Sequence, residues 1–273
     1  RGEPDLHDEP QHLVQGRLTL PLLETMGVQT LVLTHASTPD DVAAWMAEQR
    51  THLNRGGQCA LLVRDGALEF PKRKYANGYA LRRADVIAHI LAAAGDAVIV
   101  ATTGKTGREL FELRAAHGAD HAHDFLTVGS MGHASSIALG IALHRPERRV
   151  LILDGDGAAL MHMGAMASIG AAAPKNLVHI LLNNEAHESV GGAPTAAGTV
   201  NFPAIAASLG YHVLPAAATV DTLTHALAQI SDTRALTFLE VKTAIGSRAD
   251  LGRPTTTPIE NKEALMRTLC EQK

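Results

Sequence analysis

The sequence predicts an α/β protein in which helices cover both faces of a parallel β-sheet. Short apolar runs rich in Val, Ile and Leu alternate with longer segments of helical spacing along most of the 273 residues. Such alternation is typical of parallel sheets, whose strands are buried on both faces. Hydrophobic residues make up 46% of the chain, which is enough to form a sizeable core.

The first 68 residues are predicted to form a small unit with a β-α-β pattern. Thr38 and Pro39 mark a helix start, as the N-cap and the first helical residue, and Gly56 marks its end. A unit of this size does not readily bury a core alone, so we expect it to be the tail of a larger α/β domain. Its expected elements are helices over 18–26 and 39–53 and strands over 30–33 and 59–63.

A larger domain is expected over 81–273, after a polar, turn-rich linker over 69–80. Strands and helices alternate in it, and ligands of such sheets bind at the carboxyl ends of the strands. Its expected helices cover 82–94, 107–117, 133–143, 158–172, 202–209 and 220–230, and its expected strands cover 97–101, 125–128, 150–153, 177–182, 212–214 and 236–241.

Composition argues against several classes of function. The net charge is −4 and aromatic residues are 3% of the chain, so we expect no nucleic-acid partner. No apolar run approaches the roughly 18 residues of a membrane span, so we expect no membrane partner. Residues 1–12 are polar and do not form a secretory signal, and the two cysteines are expected to be free thiols, so we predict a cytoplasmic location.

Two strand ends carry the residues of a candidate metal site. Gly155-Asp156-Gly157 follows one buried strand, and Asn183-Asn184 ends the next. Twenty-five residues separate Gly157 from Asn183, enough for one helix and the returning strand. Neighbouring strand ends would then bring a carboxylate, an amide oxygen and a loop carbonyl together, a ligand set that suits Mg²⁺.

Two further turns suit a phosphorylated ligand. The segment ATTGKTGR (101–108) is rich in hydroxyl groups and opens a predicted helix, where phosphate oxygens bind readily. Lys105 and Arg108 in this segment are placed to meet either a phosphorylated cofactor or an anionic substrate. The segment VGSMGHASS (128–136) supplies a second glycine-containing turn before a helix.

These turns, with GDGAALMHMG (155–164) and LNNEAHESVGGAPT (182–195), closely resemble the phosphonopyruvate decarboxylase family of thiamine-diphosphate-dependent decarboxylases. Similarity to sulfopyruvate decarboxylases and acetolactate synthases is more distant. The resemblance implies the thiamine-diphosphate-binding fold for 81–273 and a pyrimidine-binding type of domain for 1–68. It also implies thiamine diphosphate and Mg²⁺ as cofactors.

The resemblance assigns roles to individual residues. Met131 would wedge between the two rings of the cofactor. The side chains of Asp156 and Asn184 and the carbonyl of Ala186 would bind Mg²⁺. The residues implied to contact the cofactor are Thr102, Thr103, Gly104, Ser130, Met131, Gly155, Gly157 and Ala158.

Four residues are candidates for substrate binding or catalysis. In related decarboxylases a histidine-bearing loop of the pyrimidine-binding domain faces the thiazolium ring, and residues 1–12 resemble it. His7 and His12 are therefore candidates for substrate binding or proton transfer, with surface positions as the alternative. His187 and Lys105 are the other two candidates, and the sequence leaves open which histidine transfers protons.

The reaction implied is decarboxylation of 3-phosphonopyruvate to phosphonoacetaldehyde and CO₂, a step of phosphonate biosynthesis that often leads to antibiotics. Alternatives are decarboxylation of sulfopyruvate or another 2-oxo acid, or a cofactor-holding subunit that is inactive without an upstream segment. A dinucleotide-binding protein is disfavoured, because no Gly-x-Gly-x-x-Gly fingerprint follows a strand.

The resemblance also implies at least a homodimer with sites between subunits. Family members activate the cofactor with a glutamate of the pyrimidine-binding domain, and no residue here matches it. We expect residues upstream of Arg1 to supply that glutamate.

Overall fold

The computed structural model describes residues 2–3, 12–71 and 75–271. It divides the chain into two compact units, Arg1–Lys72 and Arg73–Lys273. Among the described residues, no helix is both long and apolar enough to cross a membrane. Cys59 and Cys270 are free, as the sequence predicts.

Within its described residues, the first unit contains two parallel strands and two helices. Strands β1 and β2 pair in register from Gln29 opposite Cys59 to Leu33 opposite Val63. The predicted helix start is confirmed, because the hydroxyl of Thr38 accepts the N–H of Asp41 while the Asp41 carboxylate accepts the N–H of Thr38. The elements are α1 (His12–Thr25), β1 (Gln29–Leu33), α2 (Pro39–Asn54) and β2 (Cys59–Val63).

The second unit is built on a parallel sheet of six strands, as predicted. Its strands are β3 (Val98–Ala101), β4 (Asp124–Leu126), β5 (Val150–Gly155), β6 (Leu177–Asn183), β9 (His212–Val213) and β10 (Thr237–Lys242), in the order β4-β3-β5-β6-β10-β9. Its helices are α3 (Arg83–Ala94), α4 (Lys105–Ala116), α5 (Ala134–His144), α6 (Asp156–Met161), α7 (Gly164–Ala172), α8 (Phe202–Ser208), α9 (Val220–Asp232) and α10 (Pro258–Glu271). A small antiparallel pair, β7 (Ala186–His187) and β8 (Ala193–Pro194), lies beyond β6.

Both faces of the central strands are buried, which explains why their sequences are apolar at consecutive positions. Along β5, Leu151 and Leu153 belong to one core cluster with residues of α3, α4 and α9. Val150 and Ile152 belong to the other, with residues of α5, α7 and α8. The sheet is thus a rigid platform whose strand ends hold the loops in fixed positions.

The elements differ from the sequence analysis at three places. The helix expected over 158–172 is two helices, α6 and α7, because the backbone of His162 leaves helical geometry with φ −131° and ψ 45°. Helix α1 starts earlier than residue 18. Helix α10 was not predicted, and the buried side chain of Asn261 ties it to β4 by accepting the N–H of Leu126 and donating to the carbonyl of Asp124.

Candidate active site

The ends of three adjacent strands meet at one edge of the sheet. Strand β5 lies between β3 and β6, with Ala101 opposite Leu153 and Gly155 opposite Leu182. A cavity of about 120 Å³ opens there. The predicted residues that line it are Thr102, Thr103, Lys105, Met131, Gly155, Asp156, Gly157, Ala158, Asn184, Ala186 and His187. The fold therefore brings together most of the site that the motifs indicated.

Asp156 is a buried carboxylate at the start of α6. The hydroxyl of Thr195 donates to it at 2.5 Å, and the backbone N–H groups of Asn184 and Gly157 also point to it. Burial raises the pKa of Asp156 despite these hydrogen bonds. No positively charged side chain among the described residues contributes to that balance.

The other two predicted metal ligands belong to the loop after β6. The Oδ1 of Asn184 accepts the N–H of Ala186 at 3.1 Å, and its Nδ2 donates to Glu188 at 3.0 Å, so the amide has one orientation. Carboxylate, amide and carbonyl oxygens are the donors that Mg²⁺ prefers. In the described part of the chain no group of three or more His, Cys, Asp or Glu could hold a metal. The predicted ligand set accordingly contains one carboxylate, that of Asp156, beside an amide and a carbonyl oxygen.

Glu188 is a residue of this cavity that sequence reasoning missed. Its carboxylate accepts hydrogen bonds from Arg83 at 2.7 Å and from Lys105 at 2.9 Å. Burial would raise the pKa of Glu188, but Arg83 and Lys105 outweigh it and hold the pKa below its usual value. The only signal in the sequence that could have found Glu188 is its position four residues after Asn184. Its contact with Arg83 could not be read from the sequence, because the two residues are 105 positions apart.

The turn after β3 suits an anion. The Oγ1 of Thr102 is buried and has no hydrogen-bond partner in the described structure. Gly104 precedes α4 with φ 92°, a left-handed conformation that glycine adopts without strain. Helix α4 starts at Lys105 rather than at 107, which places its first N–H groups closer to this turn. Arg108 donates instead to the carbonyls of Leu251 and Gly252.

At position 157, any side chain larger than that of glycine would displace its neighbours. A Cβ there would lie 2.9 Å from two ring atoms of His187 and 3.2 Å from Cε of Met131. Met131 and His187 therefore both lie close to Gly157 at the start of α6, and both line the cavity. Ser130 is exposed and is not among the residues that line the cavity.

The remaining two candidates lie in the first unit of the chain. His7 lies outside the described residues. His12 is the first residue of α1. Their suggested roles in substrate binding or proton transfer stay predictions.

Comparisons with known proteins show the family to which the chain belongs. A family model described as "Thiamine pyrophosphate enzyme, C-terminal TPP binding domain" matches residues 102–241. Phosphonopyruvate decarboxylases of Streptomyces viridochromogenes and Streptomyces hygroscopicus are each 37% identical over 279 aligned residues, which cover 95% of this chain and 68% of each relative. The sulfopyruvate decarboxylase subunit beta of Methanothermobacter thermautotrophicus is 38% identical over 134 residues, 49% of this chain and 69% of that protein.

Two solved structures share the fold. A thiamine diphosphate-dependent 4-hydroxybenzoylformate decarboxylase of Rhodococcus jostii RHA1 has a TM-score of 0.51 and 24% identity, over 65% of this chain and 35% of that one. A putative thiamin diphosphate-dependent enzyme of Mycobacterium smegmatis has a TM-score of 0.51 and 17% identity, over 79% of this chain and 44% of that one. The sequence matches, rather than these two structures, establish that the chain belongs to the thiamine-diphosphate-dependent decarboxylases, the family that its motifs predicted.

Proposed function

We propose that the protein catalyses the decarboxylation of 3-phosphonopyruvate to phosphonoacetaldehyde and CO₂, with thiamine diphosphate and Mg²⁺. The observation that carries the proposal is the 37% identity to phosphonopyruvate decarboxylases over 95% of the chain. Such similarity extends well beyond the cofactor-binding motifs, since it includes the first unit. A role in phosphonate biosynthesis, often a route to antibiotics, follows from this reaction, and we keep the cytoplasm as its expected location.

The cavity residues fit the cofactor and its metal. Asp156, the side chain of Asn184 and the carbonyl of Ala186 would hold Mg²⁺, whose charge would offset the cost of burying the Asp156 carboxylate. The free hydroxyl of Thr102 and the N-terminus of α4 would bind diphosphate oxygens. When bound, thiamine diphosphate supplies the electron sink that decarboxylation of a 2-oxo acid requires.

The protein's own contribution is to orient the cofactor and to bind an anionic acid. We assign Met131 to the contact that holds the cofactor rings in their reactive arrangement, because it lines the cavity and its Cε would lie 3.2 Å from a Cβ at Gly157. Lys105 and His187 are the groups of this unit assigned to the substrate. Lys105 remains paired with Glu188 at 2.9 Å, so it presents a charge whose position is fixed in advance.

The substrate is tested by steady-state kinetics with two acids. We expect kcat/KM for 3-phosphonopyruvate to exceed that for sulfopyruvate by more than tenfold, with the aldehyde measured by an NADH-linked alcohol dehydrogenase. A preference for sulfopyruvate would reject the substrate proposed here.

Decarboxylation of sulfopyruvate is the second candidate, and one observation favours it. The subunit beta of Methanothermobacter thermautotrophicus is 38% identical to nearly half of this chain. A sulfonate and a phosphonate would engage similar cationic donors, but the phosphonate carries a second negative charge near neutral pH. The same pair of assays therefore decides between the two.

Activity could also depend on another polypeptide, as the word subunit in that relative's name suggests for that protein. We propose at least a homodimer with sites between subunits. Light scattering on the purified chain tests this, and a monomer at micromolar concentration that turns over substrate would contradict it. If the chain binds thiamine diphosphate but turns over only after an upstream domain is added, it is a cofactor-holding subunit.

A further inference from the structure

Polar side chains outside the cavity fix the loop that carries two of the proposed metal ligands. The side-chain amide of Asn77 donates one hydrogen bond to the carbonyl of Asn184 at 2.8 Å and another to the carbonyl of Thr243 at 2.9 Å. Asn184 follows β6 and Thr243 follows the neighbouring strand β10. Both N–H groups of one amide therefore tie the ends of two adjacent strands together.

Tyr79 holds the next residue of the same loop. Its hydroxyl donates to Oε1 of Glu185 at 2.5 Å. The ammonium of Lys242 lies 3.9 Å from the same oxygen and 5.7 Å from the centre of the Tyr79 ring. Glu185 stands between Asn184 and Ala186, so Tyr79 and Lys242 act on the residue that links the two proposed ligands.

The backbone of Glu185 needs such support. Its φ is 57°, a left-handed conformation that is uncommon for a residue with a side chain. Conformations of this kind persist only where the surroundings determine them. Here the N–H of Glu185 donates to Asn183 at 3.1 Å, and its carbonyl accepts the N–H of Thr195 at 2.9 Å. The dihedral angles at this residue set the direction of the Ala186 carbonyl relative to the Asn184 side chain.

We propose that Asn77 and Tyr79 are positioning residues of the metal site, which hold 184–186 in the conformation where both ligands face one ion. The inference rests on the Mg²⁺ site of the proposed function. Neither residue lines the cavity, so each acts through the loop and not by contact with the cofactor. Hydrogen-bond partners behind metal ligands commonly change metal affinity by about 10- to 100-fold.

Tyr79→Phe is the mildest test, because it removes one hydroxyl and keeps the ring near Lys242. Mn²⁺ binding followed by electron paramagnetic resonance, and retention of thiamine diphosphate in dialysis against increasing Mg²⁺, measure the site without turnover. We expect the half-saturating metal concentration to rise about tenfold, with full cofactor retention recovered at high Mg²⁺.

Asn77→Asp provides the second variant. It keeps an oxygen to accept the N–H of Tyr79, now 3.2 Å from Oδ1 of Asn77, but replaces both donors with a negative charge. We expect a larger rise in half-saturating metal than for Tyr79→Phe. If Asn77→Asp does not fold, Tyr79→Phe alone decides.

Tyr211→Phe is the matched control, since the Tyr211 hydroxyl is 3.4 Å from the carbonyl of Met166, on residues that do not line the cavity. Its metal dependence should equal that of the wild type. An unchanged metal half-saturation in Tyr79→Phe, with only a lower Tm, would show a purely structural role and overturn the inference. Cofactor binding by the wild type that needs no divalent metal would instead reject the metal site of the proposed function.

Discussion

The ammonium of Lys105 and the carboxylate of Glu188 form an ion pair at 2.9 Å inside the cavity. The other oxygen of Glu188 accepts hydrogen bonds from Arg83 at 2.7 Å and from the amide of Asn184 at 3.0 Å. One carboxylate thus fixes two cations and the orientation of a proposed metal ligand. Glu188 is separated in sequence from Lys105 by 83 positions and from Arg83 by 105 positions. Only the fold therefore brings the three side chains together.

Glu188→Gln should destabilise the protein and weaken Mg²⁺-dependent cofactor binding. Arg83 would keep only Glu109 as a charged partner, and the new amide could turn an N–H toward Asn184. We expect a loss of about 2–3 kcal/mol in the free energy of unfolding, measured in urea. Asp85→Asn, which breaks the exposed pair with Arg82, should cost much less, because solvent screens that pair. Equal losses of stability in both variants would show that the buried contacts of Glu188 stabilise the protein no more than an exposed ion pair does.

Thr102→Val should separate stability from cofactor affinity. The Thr102 hydroxyl is buried without a partner, so an isosteric methyl should leave the apo protein equally or slightly more stable. Loss of a hydrogen bond to a charged phosphate should weaken thiamine diphosphate binding about tenfold or more. Calorimetric titration and urea unfolding measure the two effects.

The matched control for that variant is Thr127→Val, since Thr127 also has a buried hydroxyl without a partner but does not line the cavity. Its stability should change as little, and its cofactor affinity should stay at the wild-type value. Undiminished cofactor affinity in Thr102→Val would remove this residue from the phosphate site.

Gly157→Ala should weaken cofactor binding while the fold persists. The new Cβ would lie 2.9 Å from His187 and 3.2 Å from Met131, so both side chains would have to move. We expect thiamine diphosphate affinity to fall by about tenfold or more, since misplaced contacts in a preorganised site are costly. Gly164→Ala, where a Cβ meets nothing within 4 Å, is the control and should bind cofactor normally. Normal cofactor affinity in the Gly157 variant would show that cofactor binding does not depend on the positions of His187 and Met131.

Asp156→Asn should abolish stabilisation by metal and cofactor. The wild-type protein should gain about 2.7 kcal/mol when ligands are present at 100 times their Kd, and EDTA should remove that gain. The variant lacks the carboxylate proposed to bind the metal, so its Tm should not respond to Mg²⁺ and thiamine diphosphate. Without ligands it should be at least as stable as wild type, because burial disfavours the ionised carboxylate. A full ligand-induced shift in the variant would place the metal elsewhere.

Local chemistry was enough to predict the strand ends of this site. Gly155 and Asn184 each lie two residues after an apolar run, and Asp156 follows Gly155. Neighbouring parallel strands must bring such residues to one edge of the sheet. The start of α2 was predictable for the same reason, because its capping box lies within four consecutive residues. The break after α6 was missed, because apolar spacing continues through a point where the backbone leaves helical geometry.

The sequence by itself determined the α/β class, the family and the residues at the ends of β3, β5 and β6, since these depend on patterns within one strand, turn and helix. Only the tertiary structure decided that Glu188 pairs with Lys105 and Arg83, and that Asn77 and Tyr79, expected in a linker, hold the loop after β6. The physical reason is the separation of these partners along the sequence. A hydrogen bond between residues about a hundred positions apart leaves no period in the sequence, and its partners are chosen by the packing of the sheet.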